Sequence, residues 1–348
     1  MDDKQTQAGF KILVNSFYSS LNQDYDNDKD KTENKNDKFI PSISSKNNQN
    51  HIYIILIFLL IISIVYFVHK NKKEKLNLEI LTGELKILVN QYEYLLDKKE
   101  TIPDDSPIWI MWYQGIKEAP PLIKACVQSI ILNRVNHPVY IVDKDNLNKY
   151  IELPEYILQK FNEKKFDVTH FSDIVRMALL SKYGGYWIDS TYFIKTPLIH
   201  NEYSLFTLKL SECYPGTVTK CRWAGNFLGM PKRSFLSVYA YNAFLFYWKN
   251  YDKLIDYFLI DEIIYVAYLN SLKLQRLIDK LPYVFCDVFN LHASLNQEFN
   301  YKDFQCSFNK LNRRNSQKET IDNKITNYGY LINQYKLDIN NINNLNVN

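Results

Sequence analysis

The sequence has few of the residues that staple or ligate. Its five cysteines, Cys126, Cys213, Cys221, Cys286 and Cys306, are an odd set among 348 residues and show no Cys-x-x-Cys or mixed Cys/His spacing. Neither a disulfide framework nor a zinc site is indicated, so they read as buried or reduced thiols. No Asn-x-Ser/Thr triplet occurs, although asparagine is abundant. Both absences lean toward a reducing, cytoplasmic setting. An excess of one charge is lacking too: 42 basic against 38 acidic side chains leave a net +4. The lysines are spread along the chain, and no nucleic-acid partner is expected.

What is present is enough for one good core. With 46% of residues apolar or aromatic, the chain can bury a domain of about 200 to 250 residues and still carry tails. Residues 1–50 pass from "FKILVNSFYSSL" into "NQDYDNDKDKTENKNDK", a composition that cannot offset the entropy of folding and reads as a disordered tail. Ile52 to Val68 then run seventeen residues without a charge, Gly or Pro, with Tyr53 and Tyr66 near the ends. This predicts a single transmembrane helix over 51–69, contacting the membrane through 52–68. Lys70, Lys72, Lys73 and Lys75 follow it, which by the positive-inside rule places the C-terminal part in the cytoplasm. A type II protein of the Golgi lumen is the alternative.

Over 70–103, Leu78, Leu81, Leu85, Leu88, Tyr92 and Leu95 recur at alternating steps of three and four. That spacing fits a short coiled coil, and hence a homodimer, or equally a stalk helix packed on its own domain. Folded structure is expected over 104–335, with an Asn-rich tail at 336–348. "IWIMWYQ" (108–114) and "VYIV" (139–142) read as buried strands, and helices are expected to begin at Pro121 and Pro154. Strand, helix, strand, helix implies an α/β domain with a parallel, nucleotide-binding sheet whose ligand sits at the carboxyl ends of the strands. Gln114 and Asp143 stand at those ends.

The densest chemistry lies in "HFSDIVRMALLSKYGGYWIDSTYF", His170 to Phe193. Ile174, Val175, Ala178 and Leu179 make an apolar helical stripe, with Asp173 and Arg176 neighbours on another face. Gly184-Gly185 ends the helix, and "YWIDSTYFI" continues as a strand on which Asp189 and Thr191 share a side. A carboxylate and a hydroxyl two residues apart at a strand end can face a cation or a pyrophosphate. A charged Asp189 among aromatic residues needs a partner, and Asp173 with Arg176 can frame the same cleft.

Together with "IWIMWYQG" upstream, this stretch resembles the capsular polysaccharide synthesis protein family, relatives of the DXD sugar transferases that include glycosyltransferase family 32 and the glucosylating clostridial toxins. The resemblance runs from Ile108 to about Asn333. It implies a GT-A fold, a nucleotide-sugar donor, a glycan or polysaccharide acceptor and a retaining transfer of hexosyl type. In such enzymes an Asp and an Arg that hold donor sugar hydroxyls match Asp173 and Arg176. The first Asp of the DXD motif matches Asp189, and a Trp near the base matches Trp112 or Trp109. Gly185 and Thr191 complete the implied donor site. The departure is Thr191, which stands where the motif has its second carboxylate, and so tight holding of Mn²⁺ or Mg²⁺ through Asp189 is in doubt.

Farther along, "CRWAGNFLGMPKRSF" offers Trp223, Asn226, Lys232 and Arg233 as an acceptor or phosphate loop. Asp261 is an acid in an otherwise apolar helix, and His292 is a candidate metal or phosphate ligand. The rival expectation, drawn from Thr191, is a non-catalytic carbohydrate-binding or scaffold protein descended from a glycosyltransferase.

Overall fold

The computed structural model describes residues 81–339 apart from 200, 201, 213–216 and 315, with five single positions upstream. Two contact units divide the chain, Met1–Lys73 and Glu74–Asn348. The tail expected over 1–50 and residues 340–348 of the Asn-rich end lie outside the described residues.

The architecture is mixed α/β, and the transmembrane helix expected ahead of it is not found among the described residues. Among the described residues no helix is long and apolar enough to cross a membrane. Of 52–68 only Leu56, Leu60, Ser63 and Ile64 are described, as helical and exposed. The apolar run rises only about 25 Å as a helix, short of a hydrocarbon core of roughly 30 Å. The single-pass topology, and the cytoplasmic or lumenal orientation derived from it, fall with that helix.

Nine short strands carry the frame: β1 (Ile108–Met111), β2 (Val139–Val142), β3 (Gly185–Ile188), β4 (Tyr192–Ile194), β5 (Phe206–Thr207), β6 (Lys209–Leu210), β7 (Phe227–Met230), β8 (Tyr283–Val284) and β9 (Phe308–Lys310). The main sheet has the order β2-β1-β3-β7-β5. The first three strands are parallel, as the strand and helix alternation predicts, but β7 runs antiparallel to both β3 and β5. The sheet is therefore mixed, because the chain returns through β7 by a loop and not by a crossover helix. A separate antiparallel pair joins β4 to β9.

Side-chain alternation gives the sheet two dry faces. Trp109, Met111, Trp187, Leu228 and Met230 pack with helices α2 (Val168–Tyr183) and α3 (Phe235–Asn250). Ile108, Ile110, Tyr186, Ile188 and Phe227 pack on the other side with Ile123, Val127 and Ile130 of α1 (Pro121–Leu132). Each large side chain so buried stabilises the fold by about 1.5 to 3 kcal/mol. Leu81, Leu85, Val89 and Leu95 join the α2 and α3 side, so the heptad-like seam packs on its own domain.

The double glycine is set by space as much as by turn geometry. Gly184 and Gly185 have φ of +71° and +89°, and a Cβ on Gly185 would lie 2.0 Å from the carbonyl oxygen of Pro107. Asp167 caps the start of α2, its carboxylate accepting from the backbone N–H of His170 at 2.9 Å. The helix thus begins well before the stripe read from sequence.

The cysteine reading needs one correction. Cys286 and Cys306 form a disulfide, with Cα atoms 5.6 Å apart. The chain folds back through the short helix Asn290–Ala293, which brings together two residues whose spacing carries no sequence signal. The argument from reduced thiols lapses for this pair.

Candidate active site

Where β3 ends, the chain turns sharply. The backbone N–H of Tyr192 donates to the carbonyl of Asp189 at 3.0 Å, so 189–191 form a turn before β4 and not the continuous strand expected. The shared side of Asp189 and Thr191 was an argument from strand alternation and does not survive the turn. Asp189 itself keeps the parity of Trp187, toward α2. It lies beside the start of β7, where its backbone N–H donates to the carbonyl of Asn226 at 3.1 Å.

Here the structure brings Asp173, Arg176 and Asp189 together. One guanidinium nitrogen of Arg176 is 2.9 Å from Oδ1 of Asp173 and 3.1 Å from Oδ1 of Asp189. The other donates to the carbonyl of Gly225 at 2.6 Å, and the fork lies 5.0 Å from the centre of the Trp187 ring. Gly225 packs against Asp261, and a Cβ there would meet Oδ1 of Asp261 at 2.8 Å and force that side chain to shift.

Asp189 has two further partners that sequence reading missed. The indole N–H of Trp187 donates to its Oδ1 at 2.8 Å, and the ammonium of Lys310 donates to its Oδ2 at 2.7 Å. Trp187 was readable as Trp-x-Asp on one strand face. Lys310 was not, because it arrives on β9, opposite Tyr192.

The charges set the protonation states. Burial pushes the Asp189 carboxyl up, but the Lys310 and Arg176 charges outweigh it and hold the group below the usual carboxylate range. Asp173 goes the other way: burial outweighs Arg176 and raises it to about 7. Asp261 is also raised by burial, to about 6, with the indole N–H of Trp223 donating to it at 3.0 Å.

The other expected residues divide into near and far. Trp112 and Asp143 follow the carboxyl ends of β1 and β2, and the Arg313 guanidinium carbon lies 5.2 Å from the centre of the Trp112 ring. The buried indole nitrogen of Trp112 has no hydrogen-bond partner among the described residues. Asp143 accepts the N–H groups of Asp145 and Asn146 on one oxygen, and its other oxygen faces Gly115. Gln114 is exposed. Trp109 is a core residue, stacked on Tyr140.

Asn226 lies at the site, its side-chain oxygen accepting the hydroxyl of Tyr192 at 2.7 Å. Trp223 is buried and is not presented to an acceptor. Gly185 lies at the other end of β3 from Asp189, and β7 pairs antiparallel with β3, so Lys232 and Arg233, after Met230, also lie at that far end. They are not at the mouth. His292 sits on the short helix Asn290–Ala293.

A divalent cation held by the protein does not fit the residues present. Both oxygens of Asp189 already accept from three donors, two of them cationic, and Thr191 adds no charge. Among the described residues no group of three or more His, Cys, Asp or Glu could hold a metal ion.

Cations and indole rings are gathered over the carboxyl ends of parallel strands in a mixed α/β fold, and the class to which such a chain is similar is the glycosyltransferase-like α/β proteins. The chain belongs to the capsular polysaccharide synthesis protein family, whose model matches residues 61–331. It is 28% identical over 113 residues to the O-glycosyltransferase braB of Annulohypoxylon truncatum, covering 28% of this chain and 26% of that protein. The chain thus spans about a quarter of the length of that curated relative. It is also similar to the PaToxG glycosyltransferase structure, with 16% identity, 58% of this chain and 84% of that chain covered, and a TM-score of 0.31.

Proposed function

We propose that this chain transfers a hexosyl group, with retention, from a nucleotide-sugar donor to a glycan or polysaccharide acceptor. The observation that carries the reading is Arg176, held between Asp173 and Asp189 at 2.9 and 3.1 Å at the mouth of the sheet. A planar fork fixed in this way offers directed donors to sugar hydroxyls and phosphate oxygens. Trp112, with its unpartnered indole nitrogen, is a wall for the nucleotide base.

In the proposed step the bond between the anomeric carbon and the diphosphate oxygen breaks while the acceptor oxygen bonds to the same face of that carbon. The acceptor's proton passes to the departing diphosphate. No separate base is required. Asp173, raised to about 7, can either donate to or accept from a sugar hydroxyl near neutral pH.

The test is nucleoside diphosphate release from UDP, GDP and CDP sugars, preceded by thermal-shift screening for the donor that raises the melting temperature. Slow donor hydrolysis without acceptor, accelerated by oligosaccharides, is the expected result. Binding of a sugar with no release of diphosphate would identify a carbohydrate-binding protein instead.

A further inference from the structure

The chain brings its own cation to the position where the sequence motif leads one to look for a metal. A pair of carboxylates two residues apart offers a divalent ion two negative charges. Here one carboxylate, Asp189, faces two positive side chains, Arg176 at 3.1 Å and Lys310 at 2.7 Å. With Asp173, 2.9 Å from the same guanidinium nitrogen, the cluster is net positive while that carboxyl is protonated and neutral when it ionises, and at no point is it acidic. A metal ion entering it would meet two cations already in place, or would have to displace a lysine from a carboxylate that burial leaves short of water. An anion meets the opposite field.

Lys310 is also built to stay in place. Its backbone is fixed on β9 by pairing with Tyr192 and by donating to the carbonyl of Val288 at 2.7 Å. Its ammonium lies 4.8 Å from the centre of the Tyr192 ring. The side chain is 17% exposed, enough to reach a ligand at the mouth. An ammonium has three donors, and Asp189 takes one of them, so two remain to be offered. Three residues on, Arg313 adds a second cation beside Trp112.

We propose that Lys310 is the phosphate-binding cation of this site: its ammonium, positioned by Asp189, receives the diphosphate of the donor where a protein-held divalent cation would otherwise stand. The inference rests on the nucleotide-sugar reading above, and narrows it to an enzyme that handles its leaving group without a required metal. Asp189 is then a positioning residue for Lys310. Departure of the diphosphate is assisted by charge already in place, which costs no reorganisation at the moment of reaction.

Calorimetric binding of UDP, GDP and CDP, and of the matching nucleosides, to the full chain tests this in EDTA and in Mn²⁺. Wild type is expected to bind one diphosphate in EDTA within about threefold of its affinity in Mn²⁺, and Lys310→Met to lose about tenfold or more for that diphosphate. Nucleoside affinity should change little, and Lys310→Arg should retain most diphosphate binding. A lysine that merely neutralised Asp189 would lower the melting temperature without separating diphosphate from nucleoside. Lys310→Met binding diphosphate as tightly as wild type in EDTA would overturn the proposal. So would a wild type that binds only with Mn²⁺, and that arm decides the matter even if Lys310→Met does not fold. Failure of every nucleoside diphosphate to bind under either condition would remove the donor reading itself, and this inference with it.

Discussion

Trp248 donates its indole N–H to Nε2 of His170 across 2.9 Å, tying α3 to α2 one turn ahead of Asp173. An indole nitrogen can only donate. Nε2 of His170 is therefore the unprotonated nitrogen and Nδ1 carries the proton, 3.9 Å from Oδ2 of Asp173. Burial pushes the imidazole down to about 4 while it pushes the Asp173 carboxyl up to about 7. Neighbours one turn apart thus titrate on the wrong sides of their ordinary values.

Their effects on stability run in opposite directions. His170 has a folded pKa below its ordinary 6.5, so its contribution is complete above that value and is lost as pH falls toward 4. Asp173 has a folded pKa above its ordinary 3.8, so its contribution is complete in acid and is lost as pH rises toward 7. Asp173→Asn removes the second slope. The variant should gain stability relative to wild type as pH rises from about 4 to about 7. Melting temperatures of the two proteins across that range check this, and parallel curves would show that Asp173 is not raised.

Asp173→Ala and Asp189→Ala should each reduce transfer by about a hundredfold or more, because these carboxylates hold Arg176 and Lys310 in place and losing one placed donor to a developing leaving group is usually of that scale. Arg176→Lys should fail too, because an ammonium cannot bridge two carboxylates and a carbonyl with one planar fork. Turnover measured beside circular dichroism separates loss of chemistry from loss of fold. Near wild-type rates in both alanine variants would take these carboxylates out of the reaction.

Lys232→Ala and Arg233→Ala should leave turnover within about threefold of wild type, as is usual for exposed surface positions away from a site. Both side chains are exposed and stand at the opposite end of the sheet from Asp189. A large loss of kcat in either variant would mean that the acceptor or donor extends around the sheet edge.

Thr191→Asp adds the missing carboxylate to the turn after β3. It should leave Mn²⁺ binding within about threefold of wild type, because the turn takes position 191 off the side of Asp189 and that carboxylate is already taken by Arg176 and Lys310. Direct Mn²⁺ titration of both proteins reads this without relying on activity. Tightening by about tenfold or more would mean that position 191 is aimed at the Asp189 carboxylate and that a metal can enter beside Lys310.

The parallel half of the sheet was legible because β1 and β2 are short runs of branched and aromatic residues with proline-started helices behind them. Asp173, Arg176 and Asp189 were legible because they lie within one stretch of chain. Their partners were less so. Gly225 and Lys310 come from segments whose local pattern says only loop or short strand, and pairing between distant strands leaves no local periodicity; Asn226, in the same loop as Gly225, was legible only as part of an acceptor or phosphate loop. Lys232 and Arg233 misled for the same reason: a basic pair after a glycine-containing loop looks like a phosphate site until the direction of β7 is known. The hydropathy of 52–68 misled differently, because it measured apolar composition and left length marginal.

The β4 and β9 pair has a consequence for how the protein comes into being. Lys310 lies 121 residues beyond Asp189, and closing so long a loop is an entropic cost that local contacts do not share. By chain order, β1, β3, β7 and Arg176 all lie before the end of α3, whereas Lys310 lies beyond it. Until the later segment arrives, Asp189 Oδ2 has no lysine partner. The charge balance of the mouth is a property of the finished polypeptide, so truncation before Phe308 would leave Asp173, Arg176 and Asp189 in sequence but remove the lysine that shares the Asp189 carboxylate.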